Sequence, residues 1–267
     1  GFNGTTFVLQ QTIAAPMDVV AGDWFGLRGA VDGGWLAVGA PSLSGAGAVY
    51  LYRYDALSEN WVFHSKLVPN ATSPFRFGFS LGLRGDQLLV GAFDYEANNE
   101  QGSVYAFSRT GNGSTAVWNL NQRFRMTSDA GANAAQLFGL SLSMNTAGTR
   151  VAVGAPLAGQ LGGGSSVVGA VFVFERSGNT WTQTARLDSP LAARGNFGLS
   201  VHLVDDQLLA GDPRDATSGA IRGAAVLFKR KSSGEWFASQ TWYRNTGSVG
   251  SNYGVSVSMA GTQYIVA

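Results

Sequence analysis

The sequence predicts an all-β fold: a β-propeller of four-stranded antiparallel blades, with about five repeats visible. Three observations carry this expectation. An aromatic–glycine pair recurs at Phe25-Gly26, Phe77-Gly78, Phe138-Gly139, Phe197-Gly198 and Tyr253-Gly254, at intervals of about 50 to 60 residues. A second signature follows each of the first four pairs: Val38-Gly39-Ala40-Pro41, Val90-Gly91-Ala92, Val153-Gly154-Ala155-Pro156 and the weaker Ala210-Gly211-Asp212-Pro213. A third runs from glycine into an apolar stretch, as in Gly47-Ala48-Val49-Tyr50-Leu51-Tyr52 and Gly169-Ala170-Val171-Phe172-Val173-Phe174, and a fourth opens on Trp61, Trp118, Trp181 or Trp236.

Each repeat reads as four strands. The first alternates apolar and polar residues, as in Phe197-Gly198-Leu199-Ser200-Val201-His202, the period of a strand with unlike faces. The second is almost wholly apolar, as in Gln87-Leu88-Leu89-Val90, which suits burial on both faces. Between them stand turn residues: Asp32-Gly33-Gly34, Gly85-Asp86, Ala147-Gly148, Asp205-Asp206 and Ala260-Gly261. The fourth strand is more polar, as in Trp181 to Leu187, as an outermost strand with one wet face should be. A sheet of this kind cannot bury both faces alone, so neighbouring sheets must stack. Glycine at the end of the second strand is expected to let the backbones of two sheets crowd together.

The whole of 1–267 is expected to be one propeller domain or a fragment of one, with repeats starting near 25, 77, 138, 197 and 253. Residues 1–16 are expected to contribute an outer strand, because Phe7 to Ile13 aligns with Trp181 to Leu187. Ala267 aligns with Gly39, Gly91, Gly154 and Gly211. Either the N-terminal strand completes a five-bladed ring that lacks one strand, or the chain is a piece of a longer protein; the second is the expectation.

Composition narrows the function classes. Charged residues are 13% of the chain against about 25% in a typical soluble domain, and the net charge is +1, so no polybasic surface calls for nucleic acid or anionic lipid. There is no Cys, which removes disulfides, thiolate catalysis and Cys-ligated zinc. The uncharged run Val151 to Phe174 contains Pro156, Gln160 and several Gly and falls in register with the repeat, so it is read as strands rather than a membrane span. Sequons at Asn3, Asn70 and Asn112 are glycosylation candidates, all in expected loops or turns.

Taken together, the aromatic–Gly pairs, Gly39-Ala40-Pro41, Gly154-Ala155-Pro156 and the Gly-led third strands resemble the FG-GAP repeat family, the integrin-α-like β-propellers, over essentially the whole chain. The resemblance implies a propeller, often seven-bladed, used outside the cell for adhesion, ligand binding or assembly. In that family calcium is commonly held by a D-x-D-x-D-G loop. No such loop occurs here; the acidic residues are scattered, and the densest group, Asp212-Pro213-Arg214-Asp215, contains its own Arg. The cofactor expectation is therefore none, with calcium the one ion left in view, and no metal residues are carried over.

Candidate chemistry is sparse. Arg84-Gly85-Asp86 matches the tripeptide integrins recognise but sits in an expected turn. His64 and His202 lack a nucleophile or metal-ligand partner at useful spacing, although His202 occupies the place of Ala30, Gly82, Ser143 and Ser258, which could face a central channel. Asp205-Asp206 reads as turn residues rather than a carboxylate pair, Gly162-Gly163-Gly164-Ser165-Ser166 as a loop insertion, and Arg222, Lys229, Arg230 and Lys231 as a solvated edge. Aromatic residues near loop ends are the better lead: Trp24, Phe93, Tyr95, Trp242 and Tyr243, with binding loops at Ala92 to Glu100 and Leu157 to Val168. The functional expectation is a non-catalytic extracellular or cell-surface adhesion or assembly module, not an enzyme. Its partners would be other extracellular proteins, and the alternative is a carbohydrate-binding lectin.

Overall fold

A computed structural model describes residues 6, 8–69, 76–93, 101–127, 136–159, 168–191, 195–216, 222–244 and 252–267. It is all-β. The first sheet holds β1 (Gly29–Asp32), β2 (Trp35–Ala40), β3 (Ala48–Asp55) and β4 (Asn60–Leu67). The second holds β5 (Ser80–Arg84), β6 (Gln87–Ala92), β7 (Ser103–Thr110) and β8 (Val117–Phe124). The third holds β9 (Ser141–Met144), β10 (Arg150–Ala155), β11 (Ala170–Ser177) and β12 (Thr180–Asp188), and the fourth β13 (Ser200–Val204), β14 (Gln207–Asp212), β15 (Ala224–Arg230) and β16 (Trp236–Tyr243). A hairpin of β17 (Val257–Ala260) and β18 (Gln263–Val266) follows. Every pairing is antiparallel between strands consecutive in the chain.

Burial follows the expected order of strands. All six residues of β6 are buried, and five of six in β10, whereas β16 has none. The turns between first and second strands carry positive φ at Gly33, Gly34, Gly85, Gly148, Asp205 and Gly261, as their residue types demand. One feature was not legible in advance. The pairing of third and fourth strands slips once per sheet, at Leu51/Tyr52, Ala106/Phe107, Val173/Phe174 and Leu227/Phe228, the equivalent place each time. Such a bulge adds local twist to the strand that carries it.

The aromatic–glycine pairs are placed differently from expectation. They precede the first strands as turns instead of opening them: φ is 84 to 96° at Gly26, Gly78, Gly139, Gly198 and Gly254, and also positive at Trp24, Arg76, Leu137 and Asn252. Left-handed residues interrupt strand pairing, and the freed backbone is used across the seam between sheets. Phe77, Phe138, Phe197 and Tyr253 form parallel bridges to Gly47, Gly102, Gly169 and Gly223 of the preceding sheet. A Cβ on Gly154 would overlap the Gly198 carbonyl oxygen, and Gly39/Gly78, Gly91/Gly139 and Gly211/Gly254 repeat the contact. The crowding expected at the second-strand glycine is thus a glycine-on-glycine contact between sheets.

The core is divided among the seams. Leu89, Val104 and Phe124 of the second sheet pack with Val153, Phe172, Phe174 and Trp181 of the third. Trp35, Val49 and Leu51 meet Leu88, Val90 and Tyr105; Val171 and Val173 meet Leu208 and Val226; Leu209 and Leu227 meet Val257 and Met259. Each large side chain enclosed this way, such as the fully buried Phe172, contributes about 2–3 kcal/mol of apolar burial. The sheets thus stack face to face in chain order, a propeller-like arrangement.

The outer strand expected within 1–16 is not formed among the described residues: 8–16 carry no strand pairing. A fourth strand takes its ladder from a third strand, and no described residue stands beside this segment in that role. It is held instead by Gln11, whose Nε2 donates to the Trp61 carbonyl at 3.1 Å and whose Oε1 accepts the Trp61 N–H at 2.7 Å.

Candidate functional site

The heads of the first strands converge on one cavity of about 620 Å³, lined by Arg28–Gly29, Phe79–Leu81, Leu140–Leu142, Leu199–Val201 and Val255–Val257. All five repeats therefore contribute to it at the same register. The convergence follows from the strand alternation: one residue of each triplet points along the seam and its neighbours point to the axis.

The residue three beyond each aromatic is Ser80, Ser141, Ser200 or Ser256, and in the first repeat Arg28. Three of these hydroxyls are committed to the seams. Ser80 donates to the Gly139 carbonyl at 2.6 Å, Ser141 to Gly198 at 2.8 Å and Ser200 to Gly254 at 2.8 Å. Each satisfies a carbonyl that the left-handed glycine turn leaves outside a ladder, for about 1 kcal/mol. Ser256 and Arg28 have no such bond. The guanidinium of Arg28 lies 5.7 Å from the centre of the Phe79 ring and donates to the Leu27 carbonyl at 3.1 Å. Phe79 in turn meets Phe93 edge-on at 4.5 Å. Arg28, Phe79 and Ser256 were missed as site residues. The signal was the repeated aromatic-Gly-x-Ser pattern, in which Arg28 is the exception.

The aromatic candidates fall into different places. Trp24 is 47% exposed, with the Arg76 guanidinium 4.5 Å from its ring centre. Trp242 and Tyr243 are the last two residues of β16, near a loop end as expected; Trp242 packs on Tyr264 at 5.2 Å within the last seam, because strand alternation turns it inward, while Tyr243 stays exposed. Phe93 borders the cavity through Phe79. Tyr95 lies outside the described residues, as do Asn3, Asn70 and the glycine run at 162–164. Asn112 is exposed between β7 and β8.

The polar candidates are absorbed by structure. Arg84 stands 3.9 Å from Asp32, and the Gly85 N–H donates to an Asp32 oxygen at 2.6 Å, which ties the first two sheets. Asp206 receives Arg150 at 3.1 Å and Arg230 at 3.7 Å, so Asp205-Asp206 forms part of an ion cluster rather than a carboxylate pair. Lys231 pairs with Glu235 at 2.8 Å. His64 packs edge-on against Trp35 at 4.8 Å, and burial, then Arg53, holds its pKa below the ordinary value. His202 is half-buried on β13; burial, then Arg84, lowers its pKa also. Its equivalent Ser143 accepts the Leu203 N–H at 3.0 Å, so this position sits between adjacent first strands.

Asp212 is the exception. It stands where the other second signatures have Ala40, Ala92 and Ala155, and it is fully buried. Its Oδ1 accepts the Asn196 N–H at 2.7 Å, and a Cβ on Gly195 would overlap its carboxylate. At the corresponding positions of the third repeat stand Gln136 and Ala155, both buried, so the large residue and the small one exchange places. Burial pushes the Asp212 pKa up to about 7, opposed by the Asn196 hydrogen bond and reinforced by Asp215. Among the described residues no three potential metal ligands converge, and no helix is long and apolar enough to cross a membrane.

No family model matches the chain, and no curated protein matches it. Among solved structures, the chain is similar to the periplasmic gluconolactonase of Pseudomonas aeruginosa, at 16% identity and a TM-score of 0.44, covering 80% of this chain and 71% of that one. The expectation of a non-catalytic adhesion or assembly module, with a lectin as its alternative, is withdrawn. Two of the aromatics on which the expectation leaned have structural partners: Trp242 belongs to a seam and Trp24 is covered by Arg76.

Proposed function

We propose that this chain is an FG-GAP-type propeller whose axial cavity takes a small organic molecule. The observation that carries this reading is the cavity itself: at about 620 Å³ it falls within the range of small-molecule sites, and all five repeats build it. Leucine and valine make half of its lining residues, beside Phe79, four serines and Arg28, a mix of apolar wall and polar groups that can hold a small ligand and orient it. The five repeats are read as consecutive blades, supported by the glycine-on-glycine seams that recur between them. An extracellular location is supported by the exposed sequon at Asn112.

Ligand-detected NMR with a library of small aromatic and aliphatic fragments tests the reading. Binders are expected, and Leu140→Trp, which fills the cavity from its wall, is expected to abolish their signal. Fragments that bind wild type and Leu140→Trp alike, or no binders at all, overturn it.

A further inference from the structure

We infer that the axial cavity selects a small organic anion, a carboxylate carried on an apolar body, and that Arg28 receives the charged end; this rests on the small-ligand reading above. The argument begins from the repeat. At the register three residues beyond the aromatic, Ser80, Ser141 and Ser200 each bond the next glycine carbonyl. Arg28 breaks that rule, so the first seam has no serine at this position to bond Gly78. Nothing else in the first sheet explains the exchange. The guanidinium is exposed, forms no ion pair among the described residues, and is steered over the Phe79 ring toward the cavity.

Among the described residues that line the cavity Arg28 is the one charged side chain, and the hydroxyls of Ser80, Ser141 and Ser200 are occupied. A guanidinium offers donors in a planar fork that matches a carboxylate, and one N–H held by the Leu27 carbonyl leaves the rest available. The walls set the remainder of the ligand. Leu81, Leu140, Leu142, Leu199 and Val201 offer no further charge, so the body behind the carboxylate must be apolar. A hydrated inorganic ion would leave those walls unused.

Isothermal titration of the full chain with benzoate, benzamide and inorganic phosphate tests the inference. Benzoate is expected to bind about tenfold or more tightly than benzamide, which has the same shape without the charge, and phosphate more weakly than benzoate. Arg28→Ser is the informative variant because it restores the serine of the other repeats and should fold at least as well as wild type. It is expected to bring benzoate down to benzamide's level, and Arg28→Lys to lie between. Equal binding of benzoate and benzamide, or benzoate binding unchanged in Arg28→Ser, overturns the anion and leaves the small-ligand reading standing. Failure of both aromatic probes together with an empty fragment screen removes both.

Discussion

Gln122 and Trp181 hold each other across two sheets through backbone and amide: the Trp181 N–H donates to Gln122 Oε1 at 2.7 Å, and Gln122 Nε2 donates to the Trp181 carbonyl at 3.0 Å. Gln11 makes the same two bonds to Trp61. A side-chain amide here imitates a strand, satisfying both backbone groups of the second residue on an outer strand. Gln122→Leu is expected to cost about 1–3 kcal/mol, since two half-buried backbone groups lose their partners. Gln240, at the equivalent place in β16, is exposed and has no side-chain partner among the described residues, so Gln240→Leu should change stability by less than about 0.5 kcal/mol. Urea denaturation of the two variants makes the comparison, and equal losses would contradict it.

Gly154→Val should be among the most damaging single changes. Its side chain would overlap the Gly198 carbonyl and the Ser141 hydroxyl, neither of which can move without opening the seam. A loss of more than about 3 kcal/mol is expected. Gly29→Ala is the control, because the nearest atom to its new Cβ is the Ala37 carbonyl oxygen at 3.7 Å, an ordinary contact. A melting temperature near wild type for Gly154→Val would refute the packing of the seams.

Asp212 makes stability depend on pH in a stated direction. Its pKa lies near 7 in the folded chain, above the ordinary 3.8, so the folded state holds this proton through pH values at which the unfolded chain has released it. The penalty for ionising the buried group is absent below about pH 4, grows as pH rises, and is complete above about 7. Asp212→Asn should therefore stabilise by a few kcal/mol at pH 8 and by little at pH 4. Its carbonyl oxygen can still accept the Asn196 N–H. Urea midpoints of the two proteins at both pH values check this; a gap that does not change with pH would count against it.

Arg150 ties the third and fourth sheets from the opposite end. It meets Glu175 at 2.9 Å and Asp206 at 3.1 Å, donates to the Asp205 carbonyl at 2.8 Å, and shares both carboxylates with Arg230. With the Arg150 side chain 14% exposed, Arg150→Ala should cost about 2 kcal/mol, because it leaves two acids and a carbonyl underpartnered. Arg150→Lys, a point charge without the fork, should recover part of this. Thermal melts at low and high salt check it: the wild-type advantage should shrink with salt but persist.

Much of the architecture was legible because the repeat is local. Four strands per unit, the inner apolar strand, the polar outer strand and the turn residues each follow from alternation or from a φ requirement that neighbouring residues reveal. One local reading still failed. The aromatic–glycine pair reads as the opening of a strand because Phe197-Gly198-Leu199-Ser200 alternates, yet a left-handed glycine serves the seam instead.

By itself the sequence determined the strand order, the antiparallel hairpins and the places where glycine is required, since each depends on residues close together in the chain. Only the tertiary structure decided that Ser80, Ser141 and Ser200 are tied to the next sheet, that Arg28 lies over the Phe79 ring, and that Asp212 is enclosed against Gly195. Those outcomes depend on which backbone lies across a seam from which side chain, and residues so far apart in the chain become neighbours only when the sheets stack.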